Sequence, residues 1–533
     1  MKTHLSSIRH KPHSKNALIA GMFFLVLFWV FGFDGITFSD DVYYLLAGKS
    51  FWQGTMEVNS YHFSSRWGAY VPSGFFGYLF GFNPHVIAGF SAVCYLLSLV
   101  LLYKILPNSC SPWILVLWFS TQVYFMHFIT KVYPDAPLVF WVTLVPFAAN
   151  FRQHRPFMSG IILVLALFGG FLTKETIIFL APFPILLFLW DWKNRSLNPI
   201  FYYSILATGL IFSLLYLGYF WIQFGDPLYR VTSINAGHYI SEFTYADKGI
   251  WSILKRLTIT PLITFVERVY WPWMVFAIPG IYEGFKSKEA PVFEFSLAFL
   301  LLLLGFWFMS STLEFYNPIY LNPRHLIILI PILSFLISIG WNVWASSRKW
   351  KINLSILILA GSLISVFQGD FKQVVFLMAF TSVIWLDKKS LKIPILALLL
   401  IFPALYSIHY QKELKQYEAL ISTIDELTHD TERQGPILTN NFIHFSREVI
   451  LPYDESGDPK RYQDQLVPIE SIYEMNQDLP EQLTILIYQY YQHAYPKEQE
   501  DVDRLETWLK KNNYVLDSEI ETGNLWIRHF HLP

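Results

Sequence analysis

Two neighbouring stretches decide the reading of this chain: ALIAGMFFLVLFWVFGF (Ala17–Phe33) and, just after it, SDDVYYLLAGKSFWQG (Ser39–Gly54). The first is uncharged and long enough to cross a bilayer, for which roughly 17–25 apolar residues suffice. The second sets adjacent carboxylates, Asp40 and Asp41, at the head of a helical segment where the chain has just left the membrane. Charges there either cap the helix, satisfying free N–H groups at its positive end, or do chemistry at the membrane surface. The basic start MKTHLSSIRHKPHSK resembles the front of a signal peptide. No small-residue cleavage site follows Phe33, so Ala17–Phe33 reads as an uncleaved signal-anchor.

The rest of the chain repeats the first signal. Of 533 residues, 54% are hydrophobic and 15% charged, where soluble domains carry about 25% charged residues. Net charge is −1, which gives no footing for nucleic-acid binding. The two cysteines, Cys94 within an apolar run and Cys110 in a turn, exclude a cysteine-stapled fold. About thirteen apolar segments are predicted to span: 17–33, 83–103, 112–129, 133–151, 157–172, 176–190, 199–222, 270–285, 290–310, 324–345, 352–367, 371–386 and 392–409. Val71–Phe82 is too short to cross and reads as an amphipathic helix in the interface.

Lysine and arginine collect in cytoplasmic loops, and alternate loops here carry them: the N-terminus, Arg152/Arg155, Lys193/Arg195, Lys286/Lys288, Arg348/Lys349/Lys351 and Lys388/Lys389/Lys392. The expected arrangement is a multi-pass protein of the cell (inner) membrane with a cytoplasmic N-terminus. Residues 1–409 form an all-α polytopic membrane domain with a first outer loop at 34–82, and 410–533 lie outside the membrane. In that C-terminal part, Gln411–Asp430 has helical periodicity, GPILTNN and LTILIYQYY read as strands, and PKEQEDVDRLETWLKKNN reads as a helix. YVLDSEI and LWIRHFHL read as a closing hairpin. The sum is a small extracytoplasmic α/β domain.

This topology gathers ionisable residues on one side. Asp40, Asp41 and Arg66 fall in the first outer loop, with Lys131 and Asp135 in the next. Lys174 and Glu175 close a span, and Arg324 and His325 open one. Such groups at membrane depth are costly and default to function. Each also has a plainer role: the aspartates as helix caps, Lys174 as a snorkelling side chain, Glu175 as its neutraliser, Arg324 as an interfacial anchor. Their coincidence on one face is what singles them out.

At this point the residues resemble a known family. Asp40-Asp41-Val42-Tyr43-Tyr44 in a first outer loop is similar to the pattern of GT-C fold glycosyltransferases that use lipid-linked sugars. The likeness is to the branch of protein O-mannosyltransferases and the lipid A aminoarabinose transferase. Arg66-Trp67-Gly68, Asp135-Ala136-Pro137-Leu138, Leu172-Thr173-Lys174-Glu175 and Arg324-His325-Leu326 follow in the family's order over residues 17–410. His325 stands where tyrosine is common in the family, and no Glu-Lys-Pro-Pro run of the aminoarabinose branch is present. The resemblance implies an inverting transfer of a hexose or pentose, favours Asp40 over Asp41, and adds Asp135 to a carboxylate cluster.

The chemistry follows from sidedness. Nucleotide sugars are made in the cytoplasm, so a sugar reaching an outer cavity hangs on a membrane lipid such as a polyprenyl phosphate. Transfer to an acceptor hydroxyl or amine, on a protein, lipid or glycan, needs a carboxylate to take the proton and cations to hold the departing phosphate. Asp40 or Asp41 is the expected base, and Lys174, Arg324 and Arg66 the phosphate partners. Tyr44, Glu175 and His325 would support them. A free aspartate titrates near 3.9, and a second carboxylate alongside would raise it. Asp40 and Asp135 are the expected ligands of an optional divalent cation (Mg, Mn or Zn). A lipid or sugar transporter would set its charges near the bilayer midplane in repeated halves, which this sequence lacks. A polysaccharide ligase or polymerase stays open as the alternative, because loop 224–269 carries Arg230, Lys248, Lys255, Arg256 and Arg268.

Overall fold

A computed structural model describes residues 15–237, 244–245, 247–287, 289–430, 435–451, 463–474 and 479–533. The basic run Met1–Ser14 and Lys288 lie outside the described residues. Each of the thirteen expected segments is helical over most of its length. Among the described residues, seven helices are by themselves long and apolar enough to cross a membrane. Lys15–Phe31, Asp135–Asn150 and Phe371–Trp385 are shorter apolar helices, and Trp271–Ser287 with Val292–Phe308 form a pair bent by 120°. Segment 112–129 is broken into Pro112–Phe119 and Val123–Phe128. There the Ser120 and Thr121 hydroxyls donate back to the Val116 and Leu117 carbonyls, while the Gln122 side chain accepts from the Phe125 amide. These bonds satisfy the backbone groups that the break releases inside an apolar surround.

The helices bury one continuous apolar core, dense in aromatics such as Trp118, Trp273, Phe276 and Trp344. Pro199–Phe224 is the opposite case, almost wholly apolar yet with most of its side chains exposed. That is the pattern of a helix facing lipid. The segment expected in the interface, Val71–Phe82, belongs to a helix that starts earlier, Trp67–Phe80, whose Phe75, Tyr78, Leu79 and Phe80 stay exposed. It packs against Asp40–Trp52 through glycines on both sides. A Cβ on Gly74 would lie 2.6 Å from the Gly48 Cα, so no larger residue fits the crossing.

The last apolar helix runs on as Lys389–Lys415 and stops at Gln416, where φ is +52°. Beyond it, Tyr417–His429 leads into a five-stranded sheet of order β2-β1-β3-β5-β4. The strands are β1 (Ile437–Thr439), β2 (Leu466–Pro468), β3 (Gln482–Tyr488), β4 (Val515–Thr522) and β5 (Leu525–His531). β1 pairs in parallel with β2 and β3, while β5 is antiparallel to β3 and β4. Helix Asn441–Ile450 and β2 carried no signal read from the sequence; the predicted strands and helix Pro496–Lys511 are present. Alternation along β3 divides its two faces. Leu483, Ile485 and Ile487 pack with helix Pro496–Lys511, whereas Leu486 and Tyr488 share a core with Ile36, Phe38, Val42 and Tyr44 of the first loop.

Candidate active site

The site forms because two helices make a hairpin across the bundle. Asp135 starts Asp135–Asn150, a helix of 16 residues and so about 24 Å long. Pro156–Thr173 returns beside it and ends at Lys174. Residues 39 positions apart therefore meet, and Lys174 Nζ donates to Asp135 Oδ1 at 2.7 Å. Arg324, on the short helix Pro323–Leu326, reaches the same carboxylate, its Nε 3.4 Å from Asp135 Oδ2. Arg324 Nη2 donates to Asp40 Oδ2 at 3.1 Å. The guanidinium also lies over the Tyr133 ring, 4.3 Å from its centroid, a favourable seat for a cation. Arg324 Nε itself has no hydrogen-bond partner among the described residues. His325 completes the group as a charge neighbour of Lys174 and Asp135.

The twin aspartates do different work. Asp41 is 2% exposed, and its oxygens accept from the backbone amides of Thr37 (2.6 Å) and Ser39 (3.0 Å). It braces the turn into its helix. Asp40 keeps 29% of its side chain exposed and turns to Arg324. The expected crowding of one aspartate by the other is therefore replaced by an arginine standing between Asp40 and Asp135.

A second ion group adjoins the first. Arg66 Nε and Nη2 donate to the two oxygens of Glu175 at 3.1 and 2.7 Å, and Nη1 donates to the Tyr44 hydroxyl at 2.6 Å. Burial opposes the charge on Arg66, but Glu175 and Tyr44 carry its pKa above the usual arginine value. Arg66, expected to meet phosphate, thus has all three nitrogens engaged by protein. Glu175, expected to neutralise Lys174, instead pairs with Arg66 and with Arg230, whose Nη2 donates to it at 2.6 Å. Sequence reasoning placed Arg230 only among the basic residues of a long loop, since nothing local marks a partner 55 positions away. That loop's other arginines are also used internally. Arg256 donates to the carbonyls of Phe306 and Ile319, and Arg268 pairs with Glu267.

Glu175→Ala is expected to strand two buried guanidinium groups. Losing one member of a buried pair costs about 3 kcal/mol or more, so the thermal unfolding midpoint in detergent should fall by several degrees. An unchanged midpoint would show that Glu175 does not balance Arg66 and Arg230.

The optional divalent cation does not fit this arrangement. Among the described residues no group of three histidine, cysteine or carboxylate side chains could hold one. Asp40 and Asp135 are already shared with Arg324 and Lys174.

A helical bundle that brings acids and bases together at one end, beneath a small α/β domain, makes this a multi-pass membrane protein of the GT-C fold. In structure the chain is similar to ArnT from Cupriavidus metallidurans in the apo state, at 11% identity and a TM-score of 0.61, covering 97% of this chain and 98% of that one. It is similar to the same protein bound to undecaprenyl phosphate over the same shares, at 11% identity and a TM-score of 0.57. The oligosaccharyltransferase of Archaeoglobus fulgidus is more distant, at 11% identity and a TM-score of 0.45, over 84% of this chain and 64% of that one. Residues 69–217 match the family model of dolichyl-phosphate-mannose-protein mannosyltransferase. That match includes Asp135, Lys174 and Glu175 and leaves Asp40 and Arg324 outside. No curated protein matches the chain by sequence.

Proposed function

We propose that this protein is a glycosyltransferase that moves a sugar from a polyprenyl-phosphate donor to an acceptor hydroxyl or amine, on the outer face of the membrane and with inversion. The observation that carries the reading is the pairing of a partly exposed carboxylate, Asp40, with Arg324 and, through it, with Lys174 and Asp135. Asp40 takes the proton as the acceptor oxygen or nitrogen attacks the anomeric carbon. The bond from that carbon to the phosphate oxygen breaks, and the polyprenyl phosphate leaves as an anion held by Arg324 and Lys174. A single displacement of this kind inverts the centre. ArnT with bound undecaprenyl phosphate supports a polyprenyl phosphate as the donor's carrier. The orientation, with the C-terminal domain and site outside and the N-terminus cytoplasmic, rests on the alternation of basic loops.

A ligase or polymerase reading leaned on the basic loop 224–269. Arg230 and Arg256 are buried and paired within the protein, whereas Lys248, Lys255 and Arg268 keep exposed side chains that a polyanionic glycan could meet.

The test is a panel of radiolabelled polyprenyl-phosphate sugars offered to the purified protein with protein, lipid and glycan acceptors. Consumption of one donor, with release of polyprenyl phosphate, is the expected outcome. Release of a polyprenyl diphosphate from a diphosphate-linked donor alone would favour the ligase reading, and no consumption of any donor would refute transfer.

A further inference from the structure

Asp40 begins its helix directly after Asp34–Ser39, a segment with no helix or strand of its own. Its shape is imposed from outside, largely by the C-terminal domain. The Tyr495 hydroxyl donates to the Phe38 carbonyl, and the Tyr491 hydroxyl to the Ile36 carbonyl at 3.4 Å. The Tyr488 hydroxyl donates to the carbonyl of Lys415, whose Nζ lies 2.8 Å from Asp34 Oδ2. Lys131, from the second outer loop, donates to Asp34 and to the Gly35 carbonyl.

These charges are locked together. Burial works to raise the pKa of Asp34, but Lys131, Lys415 and His127 hold it well below the usual carboxylate range. Burial brings Lys131 down to about 8 despite that partner.

Two residues in the segment take unusual backbone angles. Gly35 has φ +95°, and a Cβ there would sit 2.1 Å from the Tyr417 ring. Phe38 has φ +52°, a left-handed conformation that a bulky residue adopts only when its surroundings enforce it. Its fully buried ring sits among Tyr417, Phe442, Tyr488 and Tyr491, at centroid distances of 5.5 to 6.1 Å.

From this segment the contacts lead to the reacting groups. Thr37 gives its amide to Asp41, and its hydroxyl is hydrogen-bonded to the Tyr133 hydroxyl. The Tyr133 ring underlies Arg324, and Arg324 holds Asp40. Burial of the Phe38 ring would be enough to dock the two parts of the chain. Tyrosine hydroxyls on two carbonyls of one tripeptide do more, because they fix the direction in which the backbone enters the Asp40 helix.

We infer that the C-terminal domain is a positioning element for the reaction: Tyr491 and Tyr495 clamp Ile36–Phe38 and thereby set the Asp40–Arg324 pair. The inference rests on the glycosyl-transfer reading only for its consequence in turnover. The clamp itself is a property of the fold.

The experiment uses the full chain in detergent. Tyr491→Phe/Tyr495→Phe keeps both rings and removes both hydroxyls. Tyr514→Phe is the control, since that hydroxyl donates to the Pro480 carbonyl at 2.8 Å within the same domain. The double variant is expected to lose roughly tenfold in kcat, as small misplacements of reacting groups do, with donor KM within about twofold of wild type. Amide exchange in peptides covering residues 34–41 should quicken. The control should change neither. If the double variant fails to fold, Tyr495→Phe alone serves. Unchanged exchange at 34–41 overturns the inference whatever the activity, and quicker exchange with full kcat overturns the positioning role. A wild-type chain that consumes no donor would remove the proposed function alone, leaving exchange to decide on the clamp.

Discussion

Asp40→Asn is expected to lower turnover by about 10²–10⁴-fold, the usual contribution of a positioned general base, and to leave the protein folded. Asparagine is nearly isosteric and can still accept from Arg324 Nη2, so the contact at 3.1 Å is weakened rather than lost. It cannot take the acceptor's proton. Asp41→Asn is the informative companion. Asp41 is buried and accepts from two backbone amides, so its neutralisation should cost stability, and any loss of turnover should track loss of fold. Rates measured with the consumed donor, beside melting curves for both variants, separate the two roles. Full activity of Asp40→Asn in a folded sample would remove that residue from the chemistry. Equal loss in both variants at wild-type stability would mean that the carboxylates act as a pair.

Lys174→Ala should act on the donor. A hydrogen bond to a charged group contributes about 1.5–3 kcal/mol, so donor KM is expected to rise roughly 10- to 150-fold, with acceptor KM close to wild type. Lys174 also holds Asp135 at 2.7 Å, and Asp135 is fully buried. The variant therefore leaves that carboxylate with Arg324 alone, and some fall in melting temperature accompanies the kinetic effect. Lys174→Ala/Asp135→Ala separates the contributions. Removing both partners restores charge balance, so stability should recover while donor binding does not. A defect confined to the acceptor, or donor affinity recovered along with stability, would show that Lys174 serves the fold and not the phosphate.

Much of this was legible from residue order, because a membrane restricts what a chain can do. Apolar run length marks helices. Alternation and turn residues exposed the hairpin β4–β5 and the helix Pro496–Lys511. The short elements were not legible. β2 spans three residues, Leu466–Pro468, too few for a periodic signal. In Asn441–Ile450 buried Phe442, Ile443, Ser446, Val449 and Ile450 alternate with polar residues over ten positions, which was not enough to mark a helix from composition alone. The interruption at Ser120–Gln122 was hidden by the hydropathy around it, since its polar groups are satisfied locally.

The site divides in the same way. Sequence named Asp40, Asp135, Lys174, Glu175 and Arg324 because charges beside apolar runs are costly wherever they occur. It could not name their partners. Glu175 was read as the neutraliser of its neighbour Lys174, whereas consecutive residues around a break in the helix point different ways. Lys174 goes to Asp135, and Glu175 to Arg66 and Arg230. Asp40 and Asp41 were likewise read as a pair, and successive helical positions separated them. Sequence alone fixed which residues had to be accounted for, through the energetic cost of charge next to lipid. Tertiary structure decided who meets whom, because ion pairing depends on distances of a few ångströms between remote segments, Asp40 and Arg324 being 284 positions apart, and no local pattern encodes such a distance.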